Sequence, residues 1–462
     1  MGADKRILIT TSYIDGKDDY YDWVGSNIKW RYRFSRPRKV SYALRFIKQN
    51  LPDIQILEYP TWEEYQRALN QPWDVVGFSF YLNDVHKVKR MIKYAREQDV
   101  PELWGGNYGV LTDGMDKKLD RIFLGYAEKE LANYLNKNLP EIIHPPIINT
   151  LEFGSMNFMR FGVLFTSRGC THKCKFCQTP SFQPKSGVVS SEALERVIKY
   201  YRDVGINIIG IFDENFGMHR KHSLDVVKLL NKYKMYWACM ARAEYVAKQA
   251  PAWTSNGGRF IGAGVGIESF NSDILAAMNK KFDEDKIVAD LKTIKKYNVG
   301  IMGYYIIGFP DETEASIKAD LKKLFELKID VNQITIVTPL PKTKLWYELD
   351  SEYGIFEKDY TKYDTKHLVW NHPKISKERL EGLLDWGLRT ANPRKGFVKM
   401  AYRFHKLLHS KEGMRAFSTF PRNFYNTKKF DTGEHKIFFD GNNGGLLRYK
   451  FDFGDGVNHN RL

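Results

Sequence analysis

Short apolar runs alternate along the chain with longer segments in which apolar residues recur at helical spacing. In the first third this pattern predicts strands at residues 6–11, 54–57, 74–80, 102–104 and 121–124. Helices are predicted between them at residues 40–50, 63–69 and 84–97. Strands that alternate with helices favour an open, mostly parallel α/β sheet of the Rossmann type, whose ligands bind at the carboxyl ends of the strands.

A second alternation follows residues 140–157, which contain Pro145-Pro146 and are predicted to be an interdomain linker. Strands are predicted at residues 161–166, 207–212, 235–240, 260–265, 301–307 and 333–337. Helices are predicted at residues 191–201, 222–232, 244–249, 273–278, 283–297 and 314–327. These six β/α units predict a barrel-like domain with its chemistry at the carboxyl ends of the strands.

The last part of the chain carries helical patterns but no recognisable motif. Helices are predicted at residues 377–388, with Ser376 as N-cap, and at residues 398–408, with a break at Asn392-Pro393 between them. Residues 15–38 are predicted to be a long charged loop, and residues 442–445 a hairpin turn. The resulting domains are 1–145, 146–345 and an α-rich extension at 346–462.

Three of the four cysteines lie together directly after the first strand of the second alternation, as Cys170, Cys174 and Cys177. Thiolates at this spacing can converge on one soft metal centre. A structural zinc site or an electron-transfer cluster normally takes four protein ligands, whereas three cysteines on a [4Fe–4S] cluster leave one iron open. The alternative is a zinc knuckle in which His172 supplies the fourth ligand.

The cysteine motif, with the aromatic Phe176 before its third cysteine, resembles the signature of the radical S-adenosylmethionine (SAM) enzymes. The resemblance implies that the amino and carboxylate groups of SAM bind the open iron. It also implies that an electron from the cluster cleaves SAM to methionine and a 5′-deoxyadenosyl radical. The fold implied is a partial barrel of six β/α units.

Polar residues after the next strands extend the resemblance to the B12-binding subgroup of this superfamily. Asp213 and Glu214 lie in a turn that resembles the subgroup's acidic-Asn-Phe turn, near the SAM amino group. Arg242 stands where relatives reach the SAM carboxylate, a task that suits its forked donors. At the end of a glycine-rich strand, Glu268 or Ser269 is expected to contact polar groups of SAM.

Two later turns add to the match without adding ligands. The turn from Gly308 to Thr313 resembles the subgroup's Gly-x-Pro-x-Glu-Thr turn, in which a structural role is expected for Glu312. The turn at residues 338–343 resembles Pro-x-Pro-Gly-Thr, with Lys342 in place of the glycine. Cys239 lies in an apolar strand and is predicted to be a core residue.

The first domain resembles the cobalamin-binding domain of the same subgroup. Its candidate cofactor residues follow the strands: Ser79, Gly105, Gly106 and Glu128. The D-x-H-x-x-G motif that supplies a cobalt ligand in other cobalamin proteins is absent after the first strand. Asp84 is interpreted as a helix N-cap, and His86 as a surface helix residue. The alternative is a Rossmann-like domain without cobalamin that caps the barrel or binds substrate.

Composition and charge limit the classes of protein to which this chain can belong. The 462 residues carry 71 basic and 55 acidic side chains, a net charge of +16. Such a charge can mark a nucleic-acid binder, but the Lys and Arg residues are spread along helical segments and are interpreted as solvated helix faces. Neither a membrane span nor a signal peptide is predicted. Clustered cysteines without a disulfide framework favour a reducing cytoplasm.

The function predicted from these features is cobalamin-assisted methyl transfer to, or another radical modification of, an unactivated carbon in a small-molecule substrate. The expected electron donor is a protein such as flavodoxin or ferredoxin. Alternatives are a cobalamin-independent rearrangement, cyclisation or oxidation, and a non-catalytic Fe–S or cobalamin sensor. RNA modification is a further alternative. Methylthiotransferases of the superfamily carry three further cysteines, however, and this chain has only Cys239 besides its motif.

Overall fold

The computed structural model describes residues 5–14, 36–37, 40–153, 156–280, 283–391 and 446–447. They divide into two units. The first holds the described residues up to 159 together with 446–447, and the second holds those from 160 to 391. The predicted loop at 15–38, apart from residues 36–37, lies outside the described residues, as do Asn392-Pro393, the helix at 398–408 and the turn at 442–445. No helix in the described ranges has the length and apolar character needed to cross a membrane.

The first unit contains short strands joined by helices. Its strands are β1 (Ile7–Thr10), β2 (Arg36–Pro37), β3 (Gln55–Leu57), β4 (Val75–Ser79), β5 (Glu102–Gly106), β6 (Arg121–Phe123), β7 (Ile148–Phe153) and β16 (Leu446–Leu447). Its helices are α1 (Tyr42–Asn50), α2 (Trp62–Leu69), α3 (Val85–Glu97) and α4 (Glu128–Tyr134). A sheet runs in the order β16-β3-β1-β4-β5-β6; all its pairings are parallel except that of β16 with β3. The predicted parallel α/β sheet is therefore confirmed.

The strand order of this sheet reverses direction between β1 and β4. Chain segments that leave the two strands turn to opposite sides at such a switch point, which opens a crevice at the carboxyl ends of the strands. The residues that follow β4 and β5 therefore lie at the edge where an open α/β sheet binds ligands.

Asp84 stands at the N-cap position of α3, as predicted. Its side chain makes no capping hydrogen bond, however, so the predicted capping interaction is wrong. The helix is entered through a 3₁₀ turn at Leu82–Asp84, in which the backbone N–H of Val85 already donates to the carbonyl of Leu82. His86 lies exposed on α3, as predicted. The same helix exposes Lys89, Arg90, Lys93 and Arg96. It is thus one basic helix face of the kind predicted, and the origin of the whole net charge stays a prediction.

The second unit repeats the strand–helix alternation on a larger scale. Its strands are β8 (Met156–Leu164, which begins in the first unit), β9 (Ser167–Arg168), β10 (Gly187–Val188), β11 (Ile208–Ile211), β12 (Tyr236–Arg242), β13 (Phe260–Glu268), β14 (Gly300–Ile307) and β15 (Val331–Ile336). Its helices are α5 (Thr179–Phe182), α6 (Ser191–Asp203), α7 (Arg220–Lys232), α8 (Ala243–Thr254), α9 (Ser272–Ala277), α10 (Glu284–Lys296), α11 (Glu314–Glu326), α12 (Lys344–Glu352) and α13 (Lys377–Ala391).

Six strands of this unit pair in parallel and in chain order, β8-β11-β12-β13-β14-β15. Each is followed by a helical connection, so the six predicted β/α units are confirmed. Because every strand points the same way, the residues after the strands gather at one edge of the sheet. Burial alternates along β13: Ala263, Val265 and Ile267 are buried, and the glycines between them face the other side.

A few elements differ from prediction. Helices α4 and α12 were not predicted, and the predicted linker contains β7 and the first residues of β8. Helix α13 begins after Ser376, whose hydroxyl accepts from the backbone N–H of Arg379 at 3.4 Å as predicted. The division into domains at 145 and 345 stays a prediction.

The turn after β14 is closed by a buried carboxylate. One oxygen of Glu312 accepts from the N–H groups of Gly308 at 2.7 Å and Phe309 at 2.8 Å. Gly308 has φ +83°, and a Cβ there would lie 2.6 Å from a methyl of Leu380, so this position requires glycine. Burial raises the pKa of Glu312 to about 7, although both hydrogen bonds favour its ionised form. The expected structural role of Glu312 agrees with these contacts.

Glu312→Gln should alter how stability depends on pH. The carboxyl binds its proton more tightly in the folded state than in the unfolded state. The free energy of unfolding of the wild type should therefore fall, by up to about 3 kcal/mol, as the pH rises from near 4.5 to near 7. A glutamine oxygen can accept both hydrogen bonds without titrating. Thermal unfolding of both proteins between pH 5 and 8 should show that the stability of the variant increases relative to that of the wild type as the pH rises. Glu326→Gln, on the exposed end of α11, is the control, and parallel curves for E312Q and wild type would contradict the assignment.

Candidate active site

The three clustered cysteines lie on one loop after β8, at the carboxyl edge of the six-stranded sheet. Cys170, Cys174 and Cys177 are half-buried free thiols. Burial raises the pKa of each, and each thiol is also influenced by the charge of another of the three. The three sulfurs are therefore close enough to act on one another. Such a set of soft donors suits a cluster of several metal ions, whose ligands lie farther apart than those of a single ion.

The loop is held in place by distant segments of the same unit. The N–H of Lys175 donates to the carbonyl of Met278, and its own carbonyl accepts from the N–H of Leu345, both at 3.1 Å. The Asn279 amide donates to the carbonyl of Lys173 at 2.9 Å, and that of Gln178 to Pro341 at 3.0 Å. The ends of two other β/α units thus determine where the cysteines lie.

Asp213 fixes the chain immediately before the loop. Its carboxylate is fully buried and accepts four hydrogen bonds, from the N–H and hydroxyl groups of Thr166 and Ser167, at 2.6 to 2.9 Å. Burial raises its pKa to about 6, and the four donors hold it from rising further. The observed contacts of Asp213 are therefore with the end of β8, while a contact with SAM stays a prediction.

The two residues after Asp213 reach the loop itself. A Glu214 oxygen accepts from the N–H of Gly169 at 3.1 Å, next to the first cysteine. Asn215 is buried, and its amide nitrogen lies 3.8 Å from Cys170 Sγ. Its amide oxygen accepts from the backbone N–H of Arg242 at 3.0 Å. The acidic-Asn-Phe turn therefore connects β11, β12 and the cysteine loop.

Arg242, at the end of β12, points its guanidinium at the second cysteine. Nη1 lies 3.9 Å from Cys174 Sγ, Nη2 donates to the carbonyl of Lys280 at 2.6 Å, and Nε pairs with Glu244 at 2.5 Å. The other carboxylate oxygen of Glu244 is buried without a hydrogen-bond partner in the described part of the chain. The structure thus brings Arg242 to the cysteines, and its contact with the SAM carboxylate stays a prediction.

Glu268 ends β13 in an unusual backbone conformation. Its φ is +68°, and the pairing register between β13 and β14 shifts at the same point. Left-handed conformation and register shifts both re-aim side chains near functional sites. Here the carboxylate pairs with Lys280 at 2.7 Å, an almost fully buried contact whose charges both act on Cys174.

The remaining residues predicted around the loop have varied surroundings. Ser269 is fully buried, and its hydroxyl accepts from the N–H of Asn271 at 3.0 Å at the start of α9. Phe176 is half-buried. The His172 ring nitrogen contacts the Tyr245 hydroxyl at 3.0 Å. Within the described ranges, no group of three or more His, Cys, Asp and Glu side chains is arranged to hold a single metal ion.

The uncovered face of β13 presents backbone rather than side chains. Gly262, Gly264 and Gly266 alternate on it, next to Tyr304 of the neighbouring strand. A Cβ on Gly264 would lie 2.8 Å from the Tyr304 hydroxyl, and one on Gly266 would lie 2.3 Å from the carboxylate of Glu268. Burial and the nearby Glu268 raise the pKa of Tyr304 to about 12. Gly264 and Gly266 therefore make room for the side chains of Tyr304 and Glu268.

In the first unit, the candidate cofactor residues lie at the carboxyl ends of β4 and β5 and at the start of α4. The Ser79 hydroxyl accepts from the Asn107 amide at 3.3 Å, and Glu128 is buried in the first turn of α4. A Cβ on Gly105 would lie 2.3 Å from a methyl of Leu119, and one on Gly106 would lie 3.3 Å from a carbonyl. Gly105 is thus required by internal packing, and the ligand contacts of all four residues stay predictions.

Comparison with known proteins places this geometry in a family. The family model of the radical SAM superfamily matches residues 164–324, which include the cysteine loop and the strands from β11 to β14. This part of the chain, residues 164–324, is a radical SAM domain.

Relatives within the superfamily include methyltransferases. An uncharacterised methyltransferase of Pyrococcus horikoshii is 30% identical over 268 residues, 56% of this chain and 58% of the relative. The bacteriochlorophyllide d C-12(1)-methyltransferase of Chlorobaculum tepidum is 25% identical over 47% of this chain and 48% of the relative. The chain thus spans about half the length of the curated relatives it matches.

A solved structure shares the fold over both units. The radical SAM methyltransferase TsrM of Kitasatospora setae, whose structure contains cobalamin and a [4Fe–4S] cluster, superposes with a TM-score of 0.56. The match covers 76% of this chain and 78% of that one at 14% sequence identity. At this identity the likeness establishes the fold alone.

The residues present fit the cofactors of the radical SAM superfamily, a [4Fe–4S] cluster and SAM. Three mutually close thiols supply the soft ligands for a cluster, and side-chain N–H groups of Asn215 and Arg242 approach two of the sulfurs. On the glycine face of β13, a Cβ at Gly262 would meet no atom nearer than 3.6 Å, which leaves the backbone open to a ligand there. A [4Fe–4S] cluster with one open iron takes three cysteine ligands, so His172 is not required as a fourth. The zinc knuckle completed by His172 is therefore the weaker interpretation of this loop.

Sequence reasoning missed three side chains of this site. Asn215 is the asparagine of the acidic-Asn-Phe turn, and its place directly after two acidic residues at the end of a buried strand was a usable signal. Glu244 lies two residues after Arg242, which is close enough to expect an ion pair. Lys280 carried no signal, because it lies in an ordinary stretch after α9 and approaches Glu268 only through the fold.

Asp213→Asn should destabilise the cysteine loop of this radical SAM protein. An asparagine has one acceptor oxygen, so one buried N–H of Thr166 or Ser167 loses its partner, at a cost of about 1–3 kcal/mol. Chemical denaturation of the anaerobic protein should show this loss, together with lower iron content after cluster reconstitution. Asp225→Asn, on the exposed face of α7, is the control. Wild-type stability and iron content in D213N would contradict the anchoring role.

Proposed function

We propose that this protein is a radical SAM enzyme that transfers a methyl group, with the help of cobalamin, to an unactivated carbon of a small-molecule substrate. One observation carries the proposal: a single chain combines a three-cysteine loop at the carboxyl edge of six parallel strands with a Rossmann-like unit. The methyltransferase names of its relatives support the same reaction class.

The cysteine loop supplies the ligands of the catalytic centre. Cys170, Cys174 and Cys177 would hold a [4Fe–4S] cluster, which when bound supplies the electron that cleaves SAM. Arg242 lies among these residues with a rigid, permanently charged fork, which supports the prediction that it holds a carboxylate. The buried Glu268–Lys280 pair holds the end of β13 beside the sulfurs.

The glycine face of β13 is the proposed wall of the SAM and substrate pocket. Gly262 allows a ligand to approach the backbone closely, because even a Cβ at that position would meet no atom nearer than 3.6 Å. The Tyr304 phenol borders the same face and remains protonated at neutral pH, so it can donate a hydrogen bond to a ligand. Such a surface suits a flat or bulky ligand better than a small anion.

The first unit is the proposed cobalamin site. Its strand order opens a crevice between β1 and β4, and the chain leaves β4 through Ser79 and Tyr81. Tyr81 is 43% exposed and stacks on Tyr108 at 6.3 Å, so it offers a flat apolar surface at the switch point. We propose that Ser79, Gly106 and Glu128 border the same crevice. Exposed His86 is not proposed as a cobalt ligand.

We further propose that a reducing cytoplasm contains the protein and that a flavodoxin or ferredoxin supplies its electrons. The support is chemical: four free cysteines persist where disulfides are disfavoured, and a cluster with an open iron is labile in oxygen.

Cys174→Ala should abolish SAM cleavage. Two thiolates cannot hold a cluster with one open iron, so the anaerobically reconstituted variant should lack the cluster's visible absorption and form no 5′-deoxyadenosine from SAM. Cys239→Ala is the matched control, because that thiol is buried in β12 and lies outside the cysteine loop. An active C174A protein would refute the assignment of the cluster.

Cobalamin binding is tested by retention. The reconstituted wild type, incubated with hydroxocobalamin and desalted, should keep one cobalamin per chain and should form S-adenosylhomocysteine from SAM only when cobalamin is present. Tyr81→Ala should lose most of the retained cobalamin, and His86→Ala should keep it. If the wild type holds the cluster but retains no cobalamin, the proposed methyl transfer is wrong and the cobalamin-independent reactions remain as the alternatives.

A further inference from the structure

Two side chains approach the cysteine sulfurs, and the role inferred for them rests on the cluster proposed at those cysteines. Asn215 Nδ2 lies 3.8 Å from Cys170 Sγ, and Arg242 Nη1 lies 3.9 Å from Cys174 Sγ. Both are N–H donors from strand ends, outside the cysteine loop. Cys170 also accepts a hydrogen bond from the backbone of His172 within the loop, and Cys177 accepts from Thr179 at the start of α5.

The orientation of the Asn215 amide is determined by its surroundings. Its oxygen accepts from the backbone N–H of Arg242 at 3.0 Å. A flipped amide would place its NH₂ group against that N–H and leave two donors facing each other. The NH₂ group must therefore face Cys170, where it can donate to the sulfur. Because Asn215 is only 3% exposed, water does not compete strongly for this donor.

The Arg242 guanidinium is equally constrained. Glu244 holds Nε at 2.5 Å and the carbonyl of Lys280 holds Nη2 at 2.6 Å. Because the guanidinium is planar and rigid, fixing Nε and Nη2 also fixes Nη1, which is directed at Cys174. Arg242 also anchors Asn215 through its backbone. One residue therefore organises the donors to two of the three sulfurs.

We propose that Asn215 and Arg242 act together as positioning residues that raise the reduction potential of the cluster by donating N–H groups to the sulfurs of Cys170 and Cys174. Reduction adds an electron and so increases the negative charge on the thiolates. Hydrogen bonds to the sulfurs stabilise that charge, and the guanidinium adds a positive charge nearby. Without these donors, the electron donor would have to be a stronger reductant to deliver an electron.

The test separates donation to sulfur from simple support of the loop. Asn215→Asp keeps an oxygen to accept from Arg242 N–H, but it replaces the NH₂ donor with an anionic oxygen facing Cys170. Asn279→Asp is the matched control: Asn279 holds the loop through the carbonyl of Lys173 and is not one of the donors to a sulfur. Iron content is measured first, and the fraction of reduced cluster is then followed by electron paramagnetic resonance in mediated redox titrations.

At a fixed solution potential, the ratio of reduced to oxidised cluster should fall at least tenfold in N215D, equivalent to about 59 mV for one electron. N279D should match wild type. Arg242→Lys keeps a charge but loses the fork and should give a smaller fall, so it serves as a second variant if N215D loses its cluster. A full-iron N215D or R242K with wild-type potential would overturn the inference. Absence of a cluster from the wild type would overturn the proposed function itself, and this inference with it.

Discussion

The arrangement of the site depends on one buried carboxylate. Asp213 accepts four hydrogen bonds from Thr166 and Ser167, and so ties the end of β11 to the end of β8. Burying a carboxylate is unfavourable unless donors surround it, and the rise in its pKa to about 6 reflects that cost. In return, the buried carboxylate fixes the position of one strand end relative to the other. With the two strand ends locked together, the cysteine loop leaves β8 at a fixed point, and Asn215, two residues beyond Asp213, lies beside the first sulfur.

Much of the fold could be predicted from sequence because its signals are strong and local. Buried parallel strands form nearly continuous apolar runs, as in residues 301–307, and the six β/α units follow from their spacing with helical segments. The cysteine loop was predictable for a different reason: three thiols at such short spacing have few other uses. Helix α12 was missed because Lys344–Glu352 mixes aromatic and charged residues without a clear apolar stripe.

The site beyond the cysteines was harder to predict, because it is built from contacts between distant segments. Lys280 meets Glu268 only because the chain turns back after α9. Glycine was also ambiguous. Gly105 was expected to make room for a ligand, but a Cβ there would collide with Leu119, so packing alone requires it. Conversely, Lys342 has φ +64° at the position of the glycine in the Pro-x-Pro-Gly-Thr turn that this segment resembles, and a lysine by itself gives no sign of that backbone conformation.

The anchoring of the cysteine loop also limits when its finished geometry can form. Lys173 is held by Asn279, 106 residues later, and Gln178 by the carbonyl of Pro341, 163 residues later. During synthesis the three cysteines leave the ribosome long before those partners exist. Until the last β/α units have been made and have folded, the thiols lie on a loop without its anchors. The finished geometry of the three thiols therefore exists only once the last β/α units have folded, and a chain truncated before residue 341 would present the complete motif without its scaffold.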